Sequence, residues 1–189
     1  MSSFERWLGA GDLRSDGQAN EVAELVTQRL ELLPDLVDTL TSADPAARGH
    51  AADALEKVAR SHPNEVVPYF PSLLRAATQD EVGMVRWHLA MTFGHTAMFP
   101  EAVAVALNVL LELLRDRNAI VRSWAITSLC IICRLHPGHA PAIVEAVSPL
   151  SRDPSAAVAK RARKAVELMT IPSLPLPKGW IKSHHIRST

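Results

Sequence analysis

Two cysteines and two histidines form the first cluster whose types and spacing could do chemistry. Cys130 and Cys133 stand about one helical turn apart, and His136 and His139 flank the turn at Pro137-Gly138. Two thiolates and two imidazoles are a zinc donor set, because a structural zinc takes four such ligands in a tetrahedron. The helical register argues otherwise. Cys133 falls in line with Ala59 and Ala97 on the apolar face, and free cysteine is among the most buried residue types. A position late in a helix also lies toward the negative end of the dipole, which raises a thiol pKa. Both are read as core cysteines, and His184-His185 offers too few ligands for a site of its own. No metal and no cofactor is expected.

A second set is charged. Asp44, Asp80, Asp116 and Asp153 recur in turns, and Arg48, Arg86 and Arg122 follow them 38 and 36 residues apart, with Ala159 at the equivalent place 37 further on. A guanidinium can donate to a carboxylate and to open turn carbonyls together. Asp44, Arg48, Asp80, Arg86, Asp116 and Arg122 are therefore expected to form a structural ladder. Two residues beyond each of these positions come His50, His88, Trp124 and Arg161, off the apolar stripe. Farther along the same segments lie Asp53, Lys57, Thr92, His95, Thr127, Ser128, Arg134 and Lys164. An exposed Trp beside histidines and arginines has the composition of an interface hot spot. Recognised enzyme signatures are missing: Gly9-Ala10-Gly11 precedes no βαβ unit, and no Gly-x-Ser-x-Gly elbow occurs. No catalytic residue is nominated, and the chain reads as noncatalytic.

The elements that would hold these residues are helices. Four copies of one pattern run through the chain: an apolar run, a turn with an Asp, then a second apolar run. In the second runs, Ala47, Ala51, Leu55 and Val58 match Val85, Leu89, Phe93 and Thr96, then Val121, Ala125, Leu129 and Ile132, then Val158, Ala162, Val166 and Met169. Steps of four, four and three place each set on one helix face. Asp44-Pro45 and Asp153-Pro154 set a capping acid before a proline at a helix start. Strand evidence is nearly absent, since the one alternating stretch, Val66 to Phe70, contains Pro68. About nine helices are expected, the first near Asn20 to Leu32 and the last near Pro154 to Thr170. A helix pair of this size cannot bury its apolar face alone, so neighbouring pairs must stack.

At Val85-Arg86 and Val121-Arg122, with the turn aspartates before them, the chain resembles the HEAT repeat family. Ala47-Arg48 fits with a shorter turn, and Val158-Ala159 lacks the Arg. The resemblance covers roughly residues 33–169. It implies an all-α, armadillo-like fold: a short right-handed α-α superhelix, or HEAT-like α-solenoid, of about four helix pairs with an N-terminal cap helix. Residues 1–19 are read as a flexible or irregular N-terminus. Residues 20–170 are read as the repeat domain, with repeats near 33–63, 64–99, 100–137 and 138–170, and residues 171–189 as a proline-rich basic tail. In such arrays the second helices line the concave side. That would gather His50, Asp53, Lys57, His88, Thr92, His95, Trp124, Thr127, Ser128, Arg134, Arg161 and Lys164 into one partner-binding groove. HEAT-like arrays are mostly interaction scaffolds, so the resemblance implies a protein-binding scaffold or adaptor with an unidentified protein partner. The alternative is a HEAT-like DNA-binding or base-excision repair protein, with Arg86, Arg122, Arg134, Arg161 and Lys164 on phosphates. The metal-dependent hydroxylases that resemble HEAT arrays use a His-Glu pair not found here. The glycosylases use a concave carboxylate, for which only Asp53 stands, two repeats from Trp124. The related bilin lyases find no supporting residue set.

Composition fits that reading. The chain has 189 residues, with 20 basic and 20 acidic side chains, which argues against a generic polyanion binder. The charge is unevenly spread. Residues 155–189 hold seven Lys or Arg against Glu167 alone, whereas residues 1–56 hold four against 11 acids. Such a distribution steers association, so a monomer or a weak homo-oligomer is expected. The first residues carry charge and no apolar stretch of leader length, and no apolar run approaches a membrane span. Two cysteines do not resemble a secreted disulfide framework, which points to the cytoplasm.

Overall fold

The computed structural model describes residues 4–9, 12, 13, 15 and 17–186. Ala10 and Gly11 of the glycine-flanked loop and Arg187 of the basic tail lie outside them. Among the described residues there are eleven α-helices and no strand: α1 Glu5–Leu8, α2 Ala19–Gln28, α3 Leu33–Asp38, α4 Pro45–Ser61, α5 Pro63–Val66, α6 Phe70–Gln79, α7 Gly83–His95, α8 Pro100–Leu113, α9 Ala119–Leu135, α10 Ala140–Val147 and α11 Ala156–Thr170. Short 3₁₀ turns, such as Thr39–Thr41 and Ser148–Arg152, extend the first helix of a pair. The first long helix is shorter than its pattern suggests. Arg29 leaves helical geometry at φ −139°, and the chain continues as the 3₁₀ turn Leu30–Leu32.

Helix starts follow their caps. The Asp44 carboxylate accepts the Ala46 N–H at 2.9 Å with Pro45 in the first turn, and the Asn118 side chain accepts the Ile120 N–H at 2.8 Å. Each satisfies an N–H that the helix leaves without a partner. At α11 the start differs from the expectation. Asp153 accepts the Ser155 N–H at 2.8 Å, so the turn absorbs Pro154 and the helix begins at Ala156.

The chain divides into two compact units, residues 1–92 and 93–189. In the first, α1, α2, α3 and α5 all pack against α4. Alanines and a glycine at Ala47, Gly49, Ala51, Ala52 and Ala54 let neighbours approach from several sides, so α4 is buried around most of its circumference. Phe4 and Leu8 are buried, and α1 lies on α4. In the second unit α9 is the centre, with α8, α10 and α11 around it. The tail after α11 forms no regular helix, yet Leu176, Trp180 and Ile186 are buried.

Leu55, Phe93 and Leu129 are buried at matching places in the second helices. Val166, expected to match them, is half-exposed; Ala165 and Leu168 are buried instead. The other expected positions, Val158, Ala162 and Met169, are buried; α11 packs on α9, α10 and the 3₁₀ turn before it, and its buried face broadens to the Ala165 and Leu168 side. Gly94 marks the tightest approach in this unit: a Cβ there would lie 2.6 Å from Ser128 Oγ and 3.3 Å from the Ser128 Cα.

Two substitutions test this packing. Phe93→Ala should destabilise by about 3–5 kcal/mol through the cavity it leaves; an unchanged urea midpoint would refute the register. Gly94→Ala should also lower the midpoint, although alanine favours an isolated helix by about 1 kcal/mol. A more stable Gly94→Ala protein would show that the approach to Ser128 is loose.

Candidate functional site

The charged ladder has a specific wiring. Arg48 donates through Nε and Nη2 to the Asp80 carboxylate at 2.7 and 3.3 Å, and through Nη1 to the Ser42 and Ala43 carbonyls at 2.9 and 3.3 Å. Arg122 repeats this in the second unit. It donates to Asp153 at 2.9 and 2.8 Å, and to the Asp116 and Arg117 carbonyls at 2.7 and 3.3 Å. Arg86 donates to the Asp80 carbonyl at 2.5 Å. Each aspartate also accepts the N–H two residues on, Val82 at 2.8 Å, Asn118 at 2.7 Å and Ser155 at 2.8 Å. Arg48 and Arg122 thus hold their own turn by its carbonyls and the next turn by its carboxylate, rather than the carboxylate of their own repeat. Arg48 and Arg122 each commit Nε, Nη1 and Nη2 to protein oxygens.

In the first unit the residues expected on an open groove turn inward. His50 is fully buried, with Nδ1 2.6 Å from the Leu8 carbonyl and Nε2 3.0 Å from the Ser15 carbonyl. It fastens the N-terminal segment to α4. Thr92 is buried and donates to the His88 carbonyl at 3.0 Å; His95, the first groove candidate of the second unit, is buried as well. Asp53, Glu56 and His88 bring donor atoms within 4.8 Å of one another, a carboxylate-imidazole set that matches divalent cations. Their charges are already met. Lys57 donates to Asp53 at 2.8 Å, Arg60 grips Glu56 at 3.0 and 2.5 Å, and His88 Nδ1 lies 3.5 Å from Asp53. A cation would have to displace both. Glu56 and Arg60 escaped the sequence reading, although their four-residue spacing, matching that of Asp53 and Lys57, was the available signal.

The second unit holds the more open arrangement. The Arg161 guanidinium sits 5.1 Å from the Trp124 ring centre and 5.6 Å from that of Trp180, and donates to Thr127 Oγ1 at 2.9 Å. Lys182 Nζ lies 5.3 Å from the Trp124 ring centre. Cations over ring faces are attracted by the ring quadrupole, and burial lowers the Arg161 pKa. Arg134 donates to the Pro172 carbonyl and, at 2.7 Å, to that of Leu174, so it anchors the tail. Thr127 and Ser128 are buried, Thr127 donating to the Ser123 carbonyl at 3.1 Å. Trp124 stays half-buried. A groove of about 700 Å³ opens beside this stack, lined by Lys160, Arg161, Lys164, Glu167, Pro177 and Trp180. Trp180 and Lys182 join a site the sequence did not assign them to, because a helix-free tail carries no periodicity that shows where it docks; Lys160 of α11 lines the groove as well.

The thiols sit in the core. Burial pushes Cys130 and Cys133 up to about 12 each, which suppresses the thiolate a nucleophile or metal ligand requires. His136 Nε2 lies 2.7 Å from the Ala97 carbonyl, so that ring nitrogen is engaged in fixing a turn.

A family model described as HEAT repeats matches residues 33–130, just over half of the chain. No curated protein sequence matches. Among solved structures, the CpcE and CpcF complex of phycocyanin lyase from Nostoc sp. PCC7120 is similar at TM-score 0.69 and 23% identity, over 86% of this chain and 95% of that one. An engineered protein aligns at TM-score 0.66 and 21% identity, over 86% and 78%. A designed armadillo repeat protein in complex with the peptide (KR)4 aligns at TM-score 0.59 and 19% identity, over 85% and 77%. At these identities the likeness establishes the all-helical repeat fold.

The ladder has a pH signature. Hydrogen bonds from Arg122 hold the Asp153 carboxyl below the ordinary carboxylate range. Its contribution is therefore complete above about pH 4, the ordinary aspartate value, and is lost as pH falls through the depressed folded value. Arg122→Met should cost about 3 kcal/mol near neutral pH, with the gap to wild type narrowing in acid. An equal gap at both pH values would assign the loss to packing.

Proposed function

This chain belongs to the HEAT repeat family, and on that footing we propose that it is a noncatalytic protein-binding scaffold whose partner engages α9, α11 and the tail. The observation that carries the reading is the stack of Trp124, Arg161, Trp180 and Lys182, two indoles and two cations held in place before any partner arrives. Tryptophan and arginine dominate binding energy at interfaces, and preorganised side chains lose little entropy on association. Structural neighbours include a designed repeat protein with a bound peptide and a karyopherin bound to the extreme C-terminus of a phosphatase. Protein partners are the common theme.

The contact surface is narrower than the twelve-residue groove expected from spacing. His50, Thr92, His95, Thr127 and Ser128 are buried within the protein. Asp53 is buried too, and Lys57 and His88 face it; Trp124, Arg161 and Lys164 remain as the contribution of the helices, to which the tail adds Lys182 and, as a largely buried wall of the groove, Trp180. The nucleic-acid reading loses most of its donors. Arg122 is spent on Asp153 and turn carbonyls, Arg86 is buried with a donor on the Asp80 carbonyl, and Arg134 is spent on the tail. No helix among the described residues is long and apolar enough to cross a membrane, and two reduced core thiols accord with work in the cytoplasm.

Affinity capture from source-cell lysate, wild type against Trp124→Ala and Arg161→Ala, tests this. A protein retained by the wild type should be weakened by about 2 kcal/mol in either variant, with a shallow salt response. Nucleic acid released along a steep salt dependence would replace the scaffold reading with phosphate binding.

A further inference from the structure

The C-terminal unit gathers positive charge that its own fold leaves in place. Lys160, Arg161, Arg163 and Lys164 fall within five residues of α11, the tail adds Lys178 and Lys182, and Glu167 is the sole acid from residue 155 onward. Lys164 holds Glu167 at 3.0 Å with both side chains substantially exposed. Arg163 donates to the Ser151 carbonyl at 2.8 Å, which fixes the guanidinium without altering its charge. Lys160 is exposed on the groove and, among the described residues, has no carboxylate at ion-pair distance. The ring contacts of Arg161 and Lys182 also leave their charge intact. Like charges held this close repel, and a bound anion relieves the repulsion.

The groove is more than a charged rim. Ala157, Pro177 and Trp180 give it apolar lining. Bare phosphate gains nothing from such a surface, whereas a peptide carrying both carboxylates and aliphatic groups matches both parts. The aromatic groups are likewise committed. Trp124 carries Arg161 and Lys182, and Trp180 is 9% exposed with Arg161 over its ring. Sequence-tolerant binding of single-stranded nucleic acid relies on open aromatic faces on which bases stack. The arrangement therefore favours a peptide over an oligonucleotide.

We propose that the groove between α11 and the tail binds an acidic segment of a protein partner, with carboxylates on Lys160, Arg163 and Lys164 and an aliphatic side chain against Ala157 and Pro177. This rests on the scaffold reading and assigns its partner a chemical class. The tail is one wall of the site, so the site exists only where Arg134 has drawn the tail across α9.

Fluorescence anisotropy on the full chain tests it with three labelled probes: a peptide of repeated Glu-Glu-Leu, its Lys-Lys-Leu counterpart, and an oligothymidylate of equal length. The acidic peptide should bind and the lysine peptide should not. Lys160→Glu combined with Lys164→Glu should weaken the acidic peptide about tenfold or more. Arg75→Glu, in the first unit, should leave it unchanged, with thermal melts showing every variant folded. Equal binding of both peptides, or indifference to the double reversal, overturns the proposal. So does an oligothymidylate that binds more tightly than the acidic peptide and is lost with the same reversal, which makes the groove a phosphate site. A partner captured through Trp124 and Arg161 alongside an inert acidic probe overturns the acidic class alone and leaves the scaffold standing.

Discussion

A single guanidinium at each of two junctions within the units, Arg48 and Arg122, joins one repeat to the next, and the rest of the structure is built on that bond. Turns between paired helices leave carbonyls that no helix donor reaches, and burying them without a partner costs as much as a lost hydrogen bond. Arg48 and Arg122 meet that need while reaching the following aspartate. The aspartate in turn accepts the N–H two residues ahead. One carboxylate therefore serves its own turn and the preceding helix together. Because Arg122 opens α9 and Asp153 precedes α11, this bond fixes the start of α11 relative to α9. The distance at which Arg161 meets Trp124 and Thr127 follows from it.

Periodicity made the helices legible. Apolar steps of four and three residues set one face of each second helix, and capping residues such as Asp44 and Asn118 set the starts. Side-chain exposure was much less legible. His50, Thr92, Thr127 and Ser128 sit off the apolar stripe, which reads as solvent-facing in a helix with one neighbour. In a repeat array the second helices have neighbours on both flanks, and the small residues around Gly49 and Gly94 let those neighbours close in. Polar side chains on the flanks are then buried with local partners: Thr92 on the His88 carbonyl, Thr127 on that of Ser123. The same logic explains Asp53 and Glu56, whose buried carboxylates are met by Lys57 and Arg60 from the next turn of the same helix.

The tail was legible as a non-helix and illegible as a wall. Pro172, Pro175 and Pro177 exclude helical geometry, and its surplus of lysine suggests solvation. What draws it in is specific: Arg134 takes two of its carbonyls, and Trp180 settles against Arg161. Neither contact has a sequence spacing that announces it. The outcome is that a segment with no periodic signal completes an open, positively charged groove. The helices alone present Trp124 and a row of cations; the tail converts them into a groove with an apolar side.

Amide hydrogen exchange across the whole chain, with and without the captured partner, tests most directly whether that surface is the one used. A binding face made by α9, α11 and the tail requires slowed exchange over residues 119–135 and 156–186, with Trp180 and its neighbours among the most protected. Slowed exchange confined to residues 37–81, where a separate groove of about 430 Å³ lies beside Arg48 and Asp80, with the tail unchanged, would contradict it.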